Sequence, residues 1–290
     1  MLKIHKKTKI KLIGLVSAIL LAFGLASQPQ SASALTLPLA ATPIVVNTVS
    51  DTGDLSGGSG ACDTGATVVL PDTSVVAACS LRAAIQTANS NGNPSEQDRI
   101  EFDIPGAGLK TITQGTISYY ITQPILIDGY TQSDASPNTT PWPQPMDAVL
   151  RVEIDANAVT DSFGSLAIGS NNITIKGLIV RNSNVSAVQG LGSSVDDITI
   201  QGNYFGTDDS GMLYDSVQAG IGLNAGFNRL TVGGPNPEYR NIIAAINRGL
   251  IGIGDNSIIQ GNFFGVGADG VTAFQSGSAV SGAAETISIT

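Results

Sequence analysis

From residue 166 onward, short runs of aliphatic residues alternate with polar ones, and the runs come back at a regular interval. Aligned on one position, Ile175, Ile200, Val232, Ile259 and Ile289 follow one another at steps of 25, 32, 27 and 30. Two residues earlier stand Ile173, Ile198, Leu230, Ser257 and Ile287, four of the five apolar. A second row, Leu166, Val188, Ile221, Leu250 and Val280, lies 9 to 12 residues ahead of the first. Alternation at period two predicts strands with one buried face. A repeat of this length, with Gly and Asn between runs and no helical stretch, predicts a β-solenoid. In such a stack each coil lies about 4.8 Å above the last, so like residues meet and aliphatics form continuous inner rows.

Glycine recurs two residues after the core position, at Gly177, Gly202, Gly234 and Gly261, where corners would use its tolerance of positive φ. Asn203 and Asn262 follow two of these glycines and suit a corner ladder of side-chain amides.

Ahead of the repeat, Pro43 to Val49 reads as a strand and residues 50–66 as loop. Ser80 is a good N-cap for a helix running to Asn89, with Leu81, Ala84, Ile85 and Ala88 on one face. Ile100, Phe102 and Ile104 alternate along a strand from Arg99 to Ile104, and two more strands are expected at Thr111–Thr113 and from Ile121 to Ile127. Residues 131–145 hold four prolines and predict a long exposed loop, which Trp142 is expected to pin to the body.

The termini change the picture. Lys3, Lys6, Lys7, Lys9 and Lys11 precede an apolar run from Leu12 to Leu25, and Ala32-Ser33-Ala34 offers small residues for cleavage. Residues 1–34 are therefore expected to be a cleaved export signal, followed by a cap with the first strands and coils over 35–165 and repeat coils over 166–290. No later stretch is long and apolar enough to cross a membrane. The last residues, Glu285 to Thr290, read as mid-strand, and a continuation beyond them is expected because solenoid ends need covering. In an exported chain the two cysteines, Cys62 and Cys79, are expected to form a disulfide.

Five of the 14 basic residues lie in the export segment, which has none of the 23 acidic ones, so the remainder carries −14 (9 − 23). That balance argues against nucleic acid as a partner. The single histidine, His5, also lies in the export segment, so histidine chemistry is not expected of the mature chain.

The run Cys79-Ser80-Leu81-Arg82-Ala83-Ala84, then Asp128-Gly129-Tyr130-Thr131-Gln132, then Gln201-Gly202-Asn203-Tyr204-Phe205-Gly206-Thr207-Asp208 resembles a family of large secreted bacterial proteins. These carry a Cys-Ser-Leu-Arg-Glu-Ala motif ahead of a right-handed parallel β-helix. The resemblance implies an all-β chain with that architecture and one short N-terminal capping helix. Ala83 replaces the family's Glu at the third helical position, which removes half of a capping box.

For chemistry the sequence offers little. Asp196 and Asp255 occupy equal positions two coils apart, about 9.6 Å by strand spacing, close to the ~6.5–9.5 Å of inverting glycosidases. Asp208 is the third acid of this catalytic alternative, and Asp208, Asp209 and Asp269 are the only residues that suggest a cofactor, calcium. Lys176 and Arg181 are the basic pair a lyase would draw on; Lys176 also heads an outward row continued by Gln201, Gly233 and Gln260. The expected function is an exported surface module, adhesive or binding polysaccharide or protein without catalysis and without cofactor. A polysaccharide lyase or glycoside hydrolase is the alternative.

Overall fold

The computed structural model describes residues 42–57, 60–92, 95–192, 194–214, 217–223, 226–274, 278–281 and 287–289. The expected export signal lies outside these residues. Three parallel sheets make up most of the chain. The first contains, in spatial order, Ile44–Val46, Asp98–Phe102, Ile125–Asp128, Ile173–Lys176, Ile198–Gln201, Thr231–Gly233, Ser257–Gln260 and Ile287–Ile289. The second contains Lys110–Thr113, Val152–Asp155, Leu178–Arg181, Tyr204–Phe205, Ile242–Ile243 and Phe263–Phe264. The third contains Tyr119–Ile121, Leu166–Ile168, Ser186–Gly190, Val217–Leu223, Ala245–Ile251 and Ser278–Ser281. From Asp98 on, the chain visits first, second and third sheet in rotation. A further parallel pair, Ser194–Asp196 and Gly226–Asn228, is inserted between third and first sheet in two circuits. Consecutive strands belong to different sheets, each pairing with its counterpart one circuit later.

The predicted rows are the register of this pairing. Ile175 pairs with Ile200, Ile200 with Val232, Val232 with Ile259 and Ile259 with Ile289. The second row pairs likewise through Leu166, Val188, Ile221, Leu250 and Val280. Ile173, Ile175, Ile198, Ile200 and Val232 have no exposed surface, and alternate residues such as Thr174 and Thr199 face outward. Each buried Ile removes apolar surface worth roughly 1.5–3 kcal/mol from water, and the stack multiplies that gain coil by coil.

Two expectations need correction, and two further arrangements were not read from the sequence. The stretch from Ile121 to Ile127 is two strands in different sheets, because Pro124 lacks an N–H and the turn Thr122-Gln123-Pro124 makes a corner there. In the third repeat the positive φ falls on Gly233 (77°), not on the aligned Gly234. Gly234 is needed for a different reason, since a Cβ there would lie 2.6 Å from the Tyr239 ring. Residues 67–77, which gave no signal, hold an antiparallel hairpin, Thr67–Val69 with Val75–Ala77. Lys176 and Arg181 do not share a strand, as Gly177 turns the chain between the first and second sheets.

The helix spans Leu81–Ser90, with Ser80 Oγ accepting the Ala83 N–H at 3.0 Å. Leu81, Ala84, Ile85 and Ala88 are buried as the spacing requires. Arg82 ties the helix to the first coils: its guanidinium meets Asp51 at 2.7 Å and donates to the carbonyls of Ile117 (2.8 Å) and Ser118 (3.3 Å). Cys62 and Cys79 are joined, with Cα atoms 5.3 Å apart.

A second, smaller apolar cluster lies outside the second sheet. There Ile179, Tyr204, Ile242 and Phe263 are covered by segments around Met146, Met212 and Phe274. These loops are linked by backbone hydrogen bonds, Met146 N–H to Ala268 O (2.8 Å) and Ala268 N–H to Gly211 O (2.9 Å).

Candidate functional site

The outer face of the first sheet carries the polar row expected from the sequence. Lys176 pairs in register with Gln201 and Gly233 with Gln260. Beside the row a cleft of about 420 Å³ is lined by Gln97, Tyr130, Lys176, Gln201, Glu238 and Tyr239, among others. Lys176 is held in it by Asp128, Nζ to Oδ2 at 2.8 Å. The other Asp128 oxygen caps the turn by accepting the Tyr130 N–H at 3.1 Å.

Each polar residue of Asp128-Gly129-Tyr130-Thr131-Gln132 has a structural task. The Tyr130 ring lies across the Gly177 corner, where any Cβ would be 2.9 Å or less from it, and its hydroxyl donates to Gly202 O at 2.7 Å. Burial raises the Tyr130 pKa, so the hydroxyl stays a donor. Thr131 Oγ1 accepts the Phe102 N–H at 2.7 Å, and the buried Gln132 amide both accepts from and donates to Ile104 (2.9 and 3.0 Å). The motif therefore locks the corner between sheets, and its Tyr130 lines the cleft.

The acids singled out from the sequence fall at two different corners. Asn171, Asp196, Asn228 and Asp255 form one column, placed just before the strands of the first sheet. Asn171 Oδ1 accepts the Asp196 N–H (2.8 Å), Asn228 Nδ2 donates to Asp196 Oδ1 (3.1 Å), and Asn228 Oδ1 accepts the Asp255 N–H (3.0 Å). The next residues, Asn172, Asp197, Arg229 and Asn256, all have φ between 53° and 59°. Asn and Asp adopt this conformation readily, but Arg does not. Arg229 is held there by its guanidinium, which bonds Asp197 at 2.7 and 2.8 Å and Asp196 at 3.2 Å. Those hydrogen bonds hold the Asp197 carboxyl below the usual aspartate pKa against the opposing effect of burial.

Asp208 lies in the loop after Tyr204–Phe205, away from that column along the coil. It accepts from Ser210 Oγ (2.7 Å), Met212 N–H (3.2 Å) and Leu213 N–H (3.1 Å), closing its own turn. Asp269 does the same in the neighbouring loop, accepting from Thr272 Oγ1 at 2.6 Å and from the Val271 and Thr272 N–H groups. The Thr272 hydroxyl and these N–H groups lower its pKa. Among the described residues no group of three or more His, Cys, Asp or Glu side chains is placed to hold a metal ion. Arg181, the other basic candidate, pairs with Glu153 (3.0 Å) and Asp155 (3.4 Å) on the second sheet.

Trp142 is 58% exposed yet meets the body at two places, Phe263, with ring centroids 5.8 Å apart, and Gly270, where a Cβ would lie 2.5 Å from the indole. A second pin of this loop is Asn138, 2% exposed, which donates to Pro237 O at 3.1 Å and to Thr140 O at 3.0 Å. No spacing rule pointed to Asn138, whose partner lies 99 residues away.

Comparison with protein-family models, with curated proteins and with solved structures finds no match to the chain. No helix among the described residues is long and apolar enough to cross a membrane.

Proposed function

We propose that the chain is an exported, non-catalytic surface module, a right-handed parallel β-helix whose outer face binds extracellular polysaccharide or protein. The observation that carries this reading is the bonding of the candidate acids. Asp196 is committed to Asn228 and Arg229, and Asp208 to its own turn. A general acid or base needs a carboxyl aimed at substrate and a second group opposite it. Neither Asp196 nor Asp208 has that setting. The β-helix reading rests on the three-sheet rotation and its matched register, and the right hand on the near-universal hand of parallel crossovers. Export is supported by the Lys-rich and apolar N-terminus and by the Cys62–Cys79 bridge, which persists in oxidising compartments.

The test is a panel of neutral and uronic-acid glycans assayed for reducing ends and unsaturated products, run beside a glycan-binding array. Binding without product supports the reading. Turnover that Asp196→Asn, Asp208→Asn or Asp255→Asn abolishes would overturn it.

A further inference from the structure

The loop around Trp142 and the turn before Asn241 enclose a second cleft, of about 390 Å³, on the outer side of Phe263–Phe264. Its chemistry differs from that of the first. One wall is the indole of Trp142, an apolar plane left mostly open to solvent. Gly270, at φ 69°, lets the indole come that close, since a Cβ there would lie 2.5 Å from the six-membered ring. The other wall is Arg240, only 7% exposed, with its guanidinium carbon 4.8 Å from the centre of the Phe263 ring.

Arg240 is a buried cation without an acid. Its Nε donates to Gly261 O (3.1 Å) and its Nη1 to Thr140 O (3.4 Å); among the described residues Nη2 has no partner and no carboxylate pairs with the group. Arg82, Arg99, Arg181, Arg229 and Lys176 have acidic partners. The equally buried Lys110, which has none, is satisfied by the carbonyls of Pro105, Gly106 and Ala107. Arg240 has two carbonyls for its five N–H groups. A desolvated guanidinium without a counter-ion is costly, and a carboxylate from a ligand would complete it. Beside it stands an exposed indole, whose flat apolar face matches the C–H face of a pyranose ring.

We infer that this cleft binds one uronic acid residue of an otherwise neutral glycan, with the ring on Trp142 and the carboxylate on Arg240. A single acidic sugar fits better than a polyuronate. The mature chain carries a net −14 (9 − 23), and repulsion beyond the cleft acts on every further carboxylate within the Debye length of about 8 Å. This assignment rests on the glycan-binding reading above.

The experiment is calorimetric titration of the protein with a xylo-oligosaccharide bearing one glucuronate, and with the same oligosaccharide after reduction of its carboxyl to a hydroxymethyl group. The acid form is expected to bind about tenfold or more tightly than the reduced form. Trp142→Ala, at an exposed position, is expected to weaken both forms by about tenfold. Arg240→Gln is expected to bring the acid form down to the level of the reduced form while leaving the reduced form within about twofold. A general loss of structure would weaken both forms together, so that outcome overturns the role of Arg240. The comparison of the two sugars on the unmodified protein needs no variant. Equal affinity for them, binding of neither, or equally strong competition by a peptide carrying one carboxylate overturns the assignment. Glycan binding that survives Trp142→Ala sinks this site and leaves the surface-module reading standing. Turnover of the oligosaccharide sinks the non-catalytic reading and leaves the site.

Discussion

Asn203 and Asn241 stand one coil apart with no exposed surface. The carboxamide oxygen of Asn241 accepts both the backbone N–H (2.8 Å) and the side-chain Nδ2 (3.2 Å) of Asn203. Asn241 in turn donates to Ile200 O (2.9 Å) and to Asn262 Oδ1 (2.7 Å), so three asparagines form one internal ladder at the corner between first and second sheets. Asn241→Ala leaves a buried N–H and a buried carbonyl without partners. The expected loss is about 2–3 kcal/mol of stability, measured by urea unfolding. Asn241→Asp keeps the oxygens and loses the donors, so it should not restore stability at pH 7.

Removing the disulfide by Cys62→Ser and Cys79→Ser should cost about 3 kcal/mol, from the 17-residue separation it closes. The unfolding midpoint of the doubly substituted protein, beside that of the parent after reduction, measures it. The two should agree.

Asp98 is buried at the start of its strand. Burial, with the charge of Glu96 added and the hydrogen bond from Asn91 opposing, raises its pKa above 3.8. Its folded pKa exceeds its unfolded one, so the native state binds more protons in that window and stability falls as pH rises through it. Asp98→Asn is therefore expected to raise the melting temperature at pH 7 and to have little effect below the unfolded pKa. A variant that is destabilising at both pH values contradicts the assignment.

Asp161 has the opposite sign. Burial opposes its ionisation, but hydrogen bonds from the Ser118 hydroxyl and N–H, the Phe163 N–H and the Tyr120 hydroxyl outweigh it and lower the pKa. Its contribution is present above the unfolded pKa and is lost as pH falls through the folded one. Asp161→Asn should lower the melting temperature at pH 7, and the gap to the parent should close on acidification.

The first sheet was legible because side-chain parity is local: Ile173 and Ile175 announce an inner face without knowledge of any partner, and the recurrence at Ile198 and Ile200 supplies the partner. The same logic found the Asn203 and Asn262 corners. It missed that Asn241 fills the rung between them, because Tyr239-Arg240-Asn241 lacks the glycine that marks the other two. Parity also failed at Ile121 to Ile127, where Pro124 divides an apolar run that looks continuous. The Trp142 cleft was invisible for a different reason. Arg240 and Thr140, which it bonds, are 100 residues apart, and only the stacking of coils brings them together. The acids Asp196 and Asp255 were correctly placed in one column, but nothing in their spacing disclosed that Asn171 and Asn228 bond to that column.

The stacking of successive coils underlies the outer face, both clefts and every pairing above. Nitroxide labels at Thr174→Cys and Ile258→Cys test it most directly, because these residues are linked through Thr199 and Thr231 by three register steps on the outer face of the first sheet. Dipolar broadening should report a narrow distribution consistent with a backbone separation of about 14 Å, three strand spacings. A broad distribution, or one centred well beyond 25 Å (roughly five spacings), would contradict the stack.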